Sequence, residues 1–206
     1  MAIHLHRDDL PEGLDLGPVV AVDTETMGLN PLRDRLCLVQ LSAGDGSAHL
    51  VQIRPGADPR GAAPNLCRLL ADPGRQKLFH FARFDIAALR HGLGVTPAPV
   101  WCTKIASKLT RTYTDRHGLK YLLAALCDVD VSKQQQSSDW GAAELSEAQL
   151  AYAASDVLHL HRLKAALEEM LVREDRLAMA ERCFDFLPTR AALDLAGWAE
   201  TDIFAH

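Results

Sequence analysis

Four acidic residues and one tyrosine could do chemistry together: Asp23 and Glu25 in VVAVDTET, Asp85 in HFARFD, and Tyr152 and Asp156 in YAASD. Each carboxylate falls where a metal ligand can be presented, at the end of an apolar strand or on a helix face. Four hard oxygen donors from three distant segments suit two divalent cations, and two such cations beside a water suit phosphodiester hydrolysis. Asp23 and Glu25 are one residue apart, so a strand puts both on one face, ~7 Å apart along the chain. Tyr152 and Asp156 are four apart, so a helix puts them on one face as well. The residues between them, Ala153, Ala154 and Ser155, are small enough for a substrate backbone to approach. Singly, each feature has an ordinary explanation: a solvated strand end, an N-cap aspartate at 85, a core tyrosine bonded to Asp156. Three such segments in this order favour the joint reading.

Those residues need a scaffold, and the apolar pattern supplies one. Residues 17–23 (GPVVAVD) form a short buried strand, and 36–42 (LCLVQLS) a second. The turn Ala43-Gly44-Asp45-Gly46 leads to a third at 49–53, so the first three strands form an antiparallel meander. A short helix covers 65–70, and a fourth strand runs over 77–81. A helix follows at 85–91, and Pro97-Ala98-Pro99 breaks the chain before Val100-Trp101. Beyond residue 103 the pattern is helical: 103–109, 119–126, and one long segment from 147 to about 179. Ser146 with Gln149 three residues on is a capping box that marks the start of that segment. The expected class is α/β, a mixed sheet flanked by helices in a single domain over 1–206, with a helical C-terminal half. Residues 171–206 are expected to be a helical or interface tail.

The bulk properties narrow the partners. The 206 residues are 48% hydrophobic, enough for a sizeable packed core. No apolar run reaches the roughly 18 residues that span a bilayer, and the polar N-terminus lacks a signal segment, so a cytoplasmic protein is expected. The five cysteines, at 37, 67, 102, 127 and 183, are scattered and never spaced CxxC, which predicts reduced thiols rather than disulfides or a zinc site. Net charge is −5, yet residues 75–120 hold nine Lys/Arg and two acids. A confined positive surface on an acidic body fits a small anionic ligand better than a long one.

The order Asp-x-Glu, His-x-x-x-Phe-Asp, Tyr-x-x-x-Asp resembles the DEDD 3′→5′ exonucleases in the subgroup with tyrosine. The run from Lys133 to Trp140, followed by Leu145-Ser146-x-x-Gln149-x-x-Tyr152, resembles ribonuclease D. The resemblance implies a ribonuclease H-like fold and Mg2+ or Mn2+ as a pair of ions. It implies that Asp23 bridges both ions, that Glu25 and Asp156 complete one shell and that Asp85 serves the other. Tyr152 is then expected to orient the attacking water, with Glu25 accepting its proton.

Ribonuclease D proper carries a further nucleic-acid-binding domain, for which this chain has no room after the third motif. Where its relatives often read Trp-x-Arg-Arg-Pro-Leu, the sequence here reads Trp140-Gly-Ala-Ala-Glu-Leu145. Both departures reduce the phosphate contacts on which long-RNA binding depends. Across nearly its whole length the chain is similar to the compact alphaproteobacterial nano-RNase C family, through the run from Cys102 to Lys120 and the tail from Phe186 to His206. That likeness implies hydrolysis of very short RNA, chiefly dinucleotides, in a ring-like homo-octamer. The expected substrate contacts are Thr24, Leu29, His80, Arg83, Lys104, Lys108, Gln136 and Ser138. Leu29 is expected to wedge between bases, and the apolar tail with Trp198, Ile203 and Phe204 to pack on a neighbouring subunit or its own domain. Trimming of longer structured RNA, as ribonuclease D does, is the alternative enzyme. An inactive binding module would normally have lost one of the five residues.

Overall fold

Two apolar runs, VVAV and LCLVQLS, set the centre of a six-stranded mixed sheet. The computed structural model describes residues 2–56, 61, 63–132 and 134–206; Lys133, which opens the glutamine run, lies outside the described residues. In chain order the strands are β1 (Ala2–Arg7), β2 (Val19–Thr26), β3 (Leu36–Ser42), β4 (Ser47–Gln52), β5 (Gln76–Phe79) and β6 (Val100–Cys102). They lie side by side as β1-β4-β3-β2-β5-β6. β3 is buried at every position, as a strand covered on both faces requires. β2, β3 and β4 make the expected antiparallel meander. β5 runs parallel to β2, and β6 parallel to β5. The helices between them are α1 (Pro64–Ala71) and α2 (Ala82–Leu93), with α3 (Thr103–Thr110) and α4 (Leu119–Cys127) after β6.

Two expectations need correction. The N-terminal segment, polar and assigned no element from the sequence, is a strand: β1 pairs in parallel with β4 from Ala2↔Ser47 to Arg7↔Gln52. Its side chains are mostly exposed, so the apolar period that marks an inner strand is missing; backbone pairing to a sheet edge suffices. The long C-terminal helix is three helices, α5 (Glu147–Leu158), α6 (Leu160–Arg173) and α7 (Leu177–Leu193). His159, at φ −108° and ψ 0°, separates the first two. Asp175, at a left-handed φ of 52°, separates the others. Buried residues continue through both breaks, including Leu160, Leu163, Leu167, Leu171, Ala180, Phe184 and Leu187, so periodicity alone conceals them. The Ser146–Gln149 capping box does open α5: Ser146 Oγ accepts from the Gln149 amide at 3.2 Å, and Gln149 Oε1 from the Ser146 amide at 2.9 Å.

The core runs as one apolar cluster from Leu10 to Ala191. α5 packs on β2, β3 and β4, while α2 packs on β2, β3, β5 and β6. These two helices converge on the C-terminal half of β2, which carries Asp23 and Glu25. One charge lies inside the scaffold. Lys77 of β5 is fully buried, and its ammonium donates to the carbonyls of Asp72, Arg75 and Ala98 at 2.5–2.6 Å. Burial pushes its pKa down to about 8, while three carbonyl acceptors hold the charged form. Lys77 thereby ties the α1–β5 turn to the segment before β6.

Candidate active site

Strand geometry places the first two acids as the sequence suggested. Along β2, Asp23 and Glu25 are half-buried while Val22, Thr24 and Thr26 between and beside them are buried, so the pair shares a face. The pairing of β2 with β3 slips between Glu25 and Thr26, an irregularity of the kind that redirects side chains beside sites. Asp156 reaches the same place from α5: one oxygen from each of Asp23, Glu25 and Asp156 lies within 4.8 Å of the others. Asp85 sits in the first turn of α2 and is 3% exposed. It is not the helix cap; that position is Phe81, and Asp85 instead accepts a hydrogen bond of 2.7 Å from Thr24 Oγ1.

The electrostatics follow from crowding acids in a cleft. Burial first, then the charges of Asp85, Asp156 and Glu25, push the Asp23 carboxyl well above its usual pKa. Burial, then the charges of Asp156 and Asp85, raise Glu25 to about 9. Burial chiefly raises Asp85 and Asp156 to about 7, against the hydrogen bond from Thr24 in the first and the interaction with Tyr152 in the second. Tyr152 is held protonated, because burial and three nearby carboxylates oppose a phenolate. An all-oxygen cluster whose members each resist ionisation fits a divalent cation of the Mg2+ or Mn2+ type. The cysteines are free, and none of them nor any histidine joins this cluster among the described residues, which disfavours zinc.

A cleft of about 660 Å³ opens over the acids, lined by Thr24, Leu29, His80, Lys104, Gln136 and Ser138 among others. Thr24 turns its hydroxyl to Asp85 and so serves that carboxylate. Leu29 is 88% exposed on the loop after β2. His80 Nδ1 lies 2.8 Å from Thr103 Oγ1, and Thr103 Oγ1 also donates to the Phe79 carbonyl at 3.2 Å, which ties His80 to the end of β5. Two of the expected contacts are placed elsewhere. Arg83 does not line the cleft; its guanidinium turns to Asp194 and the Ala199 carbonyl. Lys108 is exposed on α3 outside the cleft.

Several lining residues are not among the expected substrate contacts: Met27, Phe81, Phe84, Lys120, which ends the basic run of 75–120, and Trp140. Nor is Gln40, which is fully buried on β3 directly opposite Asp23 and reaches Asp23 Oδ2 with its amide at 3.5 Å. The period of two in an antiparallel pair could have flagged Gln40 once Asp23 was chosen. Nothing local in the sequence could have flagged Phe81.

A family model described as 3′-5′ exonuclease matches residues 8–172. Brucella melitensis NrnC bound to pGG is 61% identical, covers all of this chain and 99% of its own, and superposes with a TM-score of 0.95. The chain belongs to the NrnC family of ribonuclease D-like 3′–5′ exonucleases. Brucella melitensis NrnC with bound Mg2+ is 60% identical over the full length of both chains, with a TM-score of 0.94. Ribonuclease D of Gluconacetobacter diazotrophicus is 39% identical over 166 residues, 81% of this chain but 41% of that protein. The chain therefore spans about two fifths of the ribonuclease D relatives it matches, whereas it matches NrnC end to end. Among the described residues, no helix is long and apolar enough to cross a membrane.

Proposed function

We propose that this chain is a divalent-metal-dependent exoribonuclease that hydrolyses very short RNA, chiefly dinucleotides, to mononucleotides. The linear dinucleotide from cyclic-di-GMP is among the substrates in this reading. The observation that carries it is the end-to-end match, at 61% identity, to a Brucella NrnC holding pGG. The cleft supports it, since about 660 Å³ falls in the roughly 300–1,000 Å³ range of sites for small ligands.

In this mechanism Asp23, Glu25, Asp85 and Asp156 would hold two divalent ions of the Mg2+ or Mn2+ type, and oxygens of Asp23, Glu25 and Asp156 already lie within 4.8 Å of one another. When bound, the ions neutralise charge on the scissile phosphate and bring the pKa of a water toward neutrality. Tyr152, kept protonated by its surroundings, orients the attacking water, and Glu25, raised to about 9 in the metal-free cleft, accepts its proton once bound cations have favoured its ionised form. The phosphorus–O3′ bond breaks, the terminal nucleotide leaves with a 5′-phosphate, and the departing O3′ takes a proton from solvent to become the 3′-hydroxyl of the remaining nucleotide. Leu29 wedges between the two bases, and Lys104 and Lys120 bring positive charge to the cleft wall. The exposed tail residues Trp198, Ile203 and Phe204 support a homo-oligomer, an octamer by likeness to the family. A cytoplasmic location completes the reading.

A second reading, trimming of longer RNA, is favoured by the likeness to ribonuclease D. Digesting a dinucleotide and a long single strand side by side, with metal omitted as a control, separates the two. The dinucleotide is expected to be consumed markedly faster; equal or slower consumption overturns the size claim.

A further inference from the structure

The residue expected to touch phosphate, Arg83, is instead half of a clamp on the C-terminal turn. α7 runs into a π-helical turn, Asp194–Trp198, in which Gly197 takes a φ of 103°. Arg83 grips Asp194 with two parallel bonds, Nε to Oδ2 at 2.6 Å and Nη2 to Oδ1 at 2.8 Å, and also donates to the Ala199 carbonyl at 2.6 Å. Arg190 closes the other side, with Nη2 donating to Asp194 Oδ1 at 2.7 Å and to the Trp198 carbonyl at 2.6 Å. Asp194 is largely buried between the two guanidiniums. Paired, charge-assisted bonds of this geometry are both strong and directional.

The clamp acts on a weak point of the fold. α2 begins at Phe81, which adopts the left-handed conformation, φ 70° and ψ 43°, and offers no side-chain cap. A residue with a Cβ is strained there, and such strain persists only where the surroundings over-determine it. The helix is anchored by Ile86, Ala87, Ala88 and Leu89 after Asp85, but before it only Ala82 is buried. Lys104 Nζ, 4.0 Å from the centre of the Phe81 ring, steadies that residue from the cleft side. Arg83 steadies the same turn from the outer side, two residues from Asp85.

We propose that Arg83 and Asp194 are positioning residues for the hydrolysis: their clamp holds the strained first turn of α2, so the C-terminal turn sets where the Asp85 carboxylate sits. The proposal rests on the metal-dependent exonuclease reading above, and its first readout needs no RNA. Full-length Arg83→Ala, Arg83→Lys and Asp194→Asn are compared with wild type and with Arg182→Ala, which removes an exposed α7 guanidinium paired at 3.6 Å with Asp185. Mn2+ binding is titrated by electron paramagnetic resonance without substrate. Melting temperature, and kcat and KM on the dinucleotide pGG, are measured alongside.

Loss of a supporting interaction around a metal ligand typically costs about 10- to 100-fold, so Arg83→Ala and Asp194→Asn should weaken Mn2+ binding and lower kcat about 10-fold or more. KM for pGG should hold nearly constant. Arg83→Lys should fall between, because an ammonium cannot make the paired contact, and Arg182→Ala should match wild type. A lowered melting temperature with wild-type Mn2+ binding and kcat would reduce the clamp to a packing contact and overturn the proposal. If Arg83→Ala fails to fold, Arg83→Lys and Asp194→Asn carry the same comparison. If pGG proves not to be a substrate, the Mn2+ titration still decides the clamp, and the substrate reading fails by itself.

Discussion

Charge is concentrated in two places on opposite sides of the first turn of α2, and the protein treats them in opposite ways. Outside, Asp194 is matched by two guanidiniums, and the Trp198 and Ala199 carbonyls accept from the same Nη2 groups, while Arg190 Nε is left without a partner among the described residues. Inside, Asp23, Glu25, Asp85 and Asp156 face one another, and none forms an ion pair among the described residues. Lys77 repeats the outer pattern in the core, with three carbonyls around one ammonium. Charges that build the fold are thus satisfied from within the chain. In the cleft, burial first and then the acids' charges on one another raise their pKa values, and this leaves a demand for positive charge that a ligand must meet.

The sharpest way to break this contrast is to remove one cleft acid. Asp23→Ala and Asp156→Ala should each lower dinucleotide hydrolysis on the order of 10³-fold or more, since several kcal/mol of charge stabilisation are at stake. In chelator the same variants should melt no lower than wild type, because the carboxylate removed repelled its neighbours. Steady-state hydrolysis and thermal melts read the two effects separately. Retained activity in Asp156→Ala would sink the catalytic assignment, and a marked loss of chelator-state stability would sink the contrast. Next in size is Tyr152→Phe, which keeps the ring and the 6.0 Å contact with Trp140 but removes the hydroxyl. It should lower kcat on the order of 10²-fold, as loss of a group that orients or transfers a proton does. KM should stay nearly unchanged; a rise in KM at constant kcat would make Tyr152 a binding residue instead.

The inner and outer clusters also differ in how much of them the sequence discloses. Asp23, Glu25, Tyr152 and Asp156 are legible because strand and helix periods translate spacing directly into shared faces. The meander is legible because β2 and β3 carry apolar runs and Gly44-Asp45-Gly46 marks the turn between β3 and β4. β1 was not, because an edge strand needs only backbone partners and shows no apolar period. Asp85 was placed by motif, but its tie to Thr24 depends on how α2 meets β2, which no local pattern encodes. Arg83 is the instructive miss. A basic residue beside an acidic motif suggests phosphate, yet its partner lies 111 positions away in the C-terminal turn.

The gentlest test of the contrast is titration of the metal-free protein. An acid whose folded-state pKa is raised keeps its stability contribution below the unfolded value, near 4, and loses it as pH rises toward the folded value. Asp85 and Asp156, raised to about 7, place that loss between roughly pH 4 and pH 7. Other groups also titrate in the acid range, so the comparison is made with Asp85→Asn, which keeps the shape and removes the charge. In chelator the wild type should lose melting temperature relative to Asp85→Asn as pH rises from 5 to 8, by about 2–4 °C for each kcal/mol of repulsion. Saturating magnesium should shrink the difference, because it compensates the carboxylates without protonating them. A difference that is flat with pH, or unchanged by magnesium, would mean that the cleft acids are already compensated by the chain, as Asp194 is.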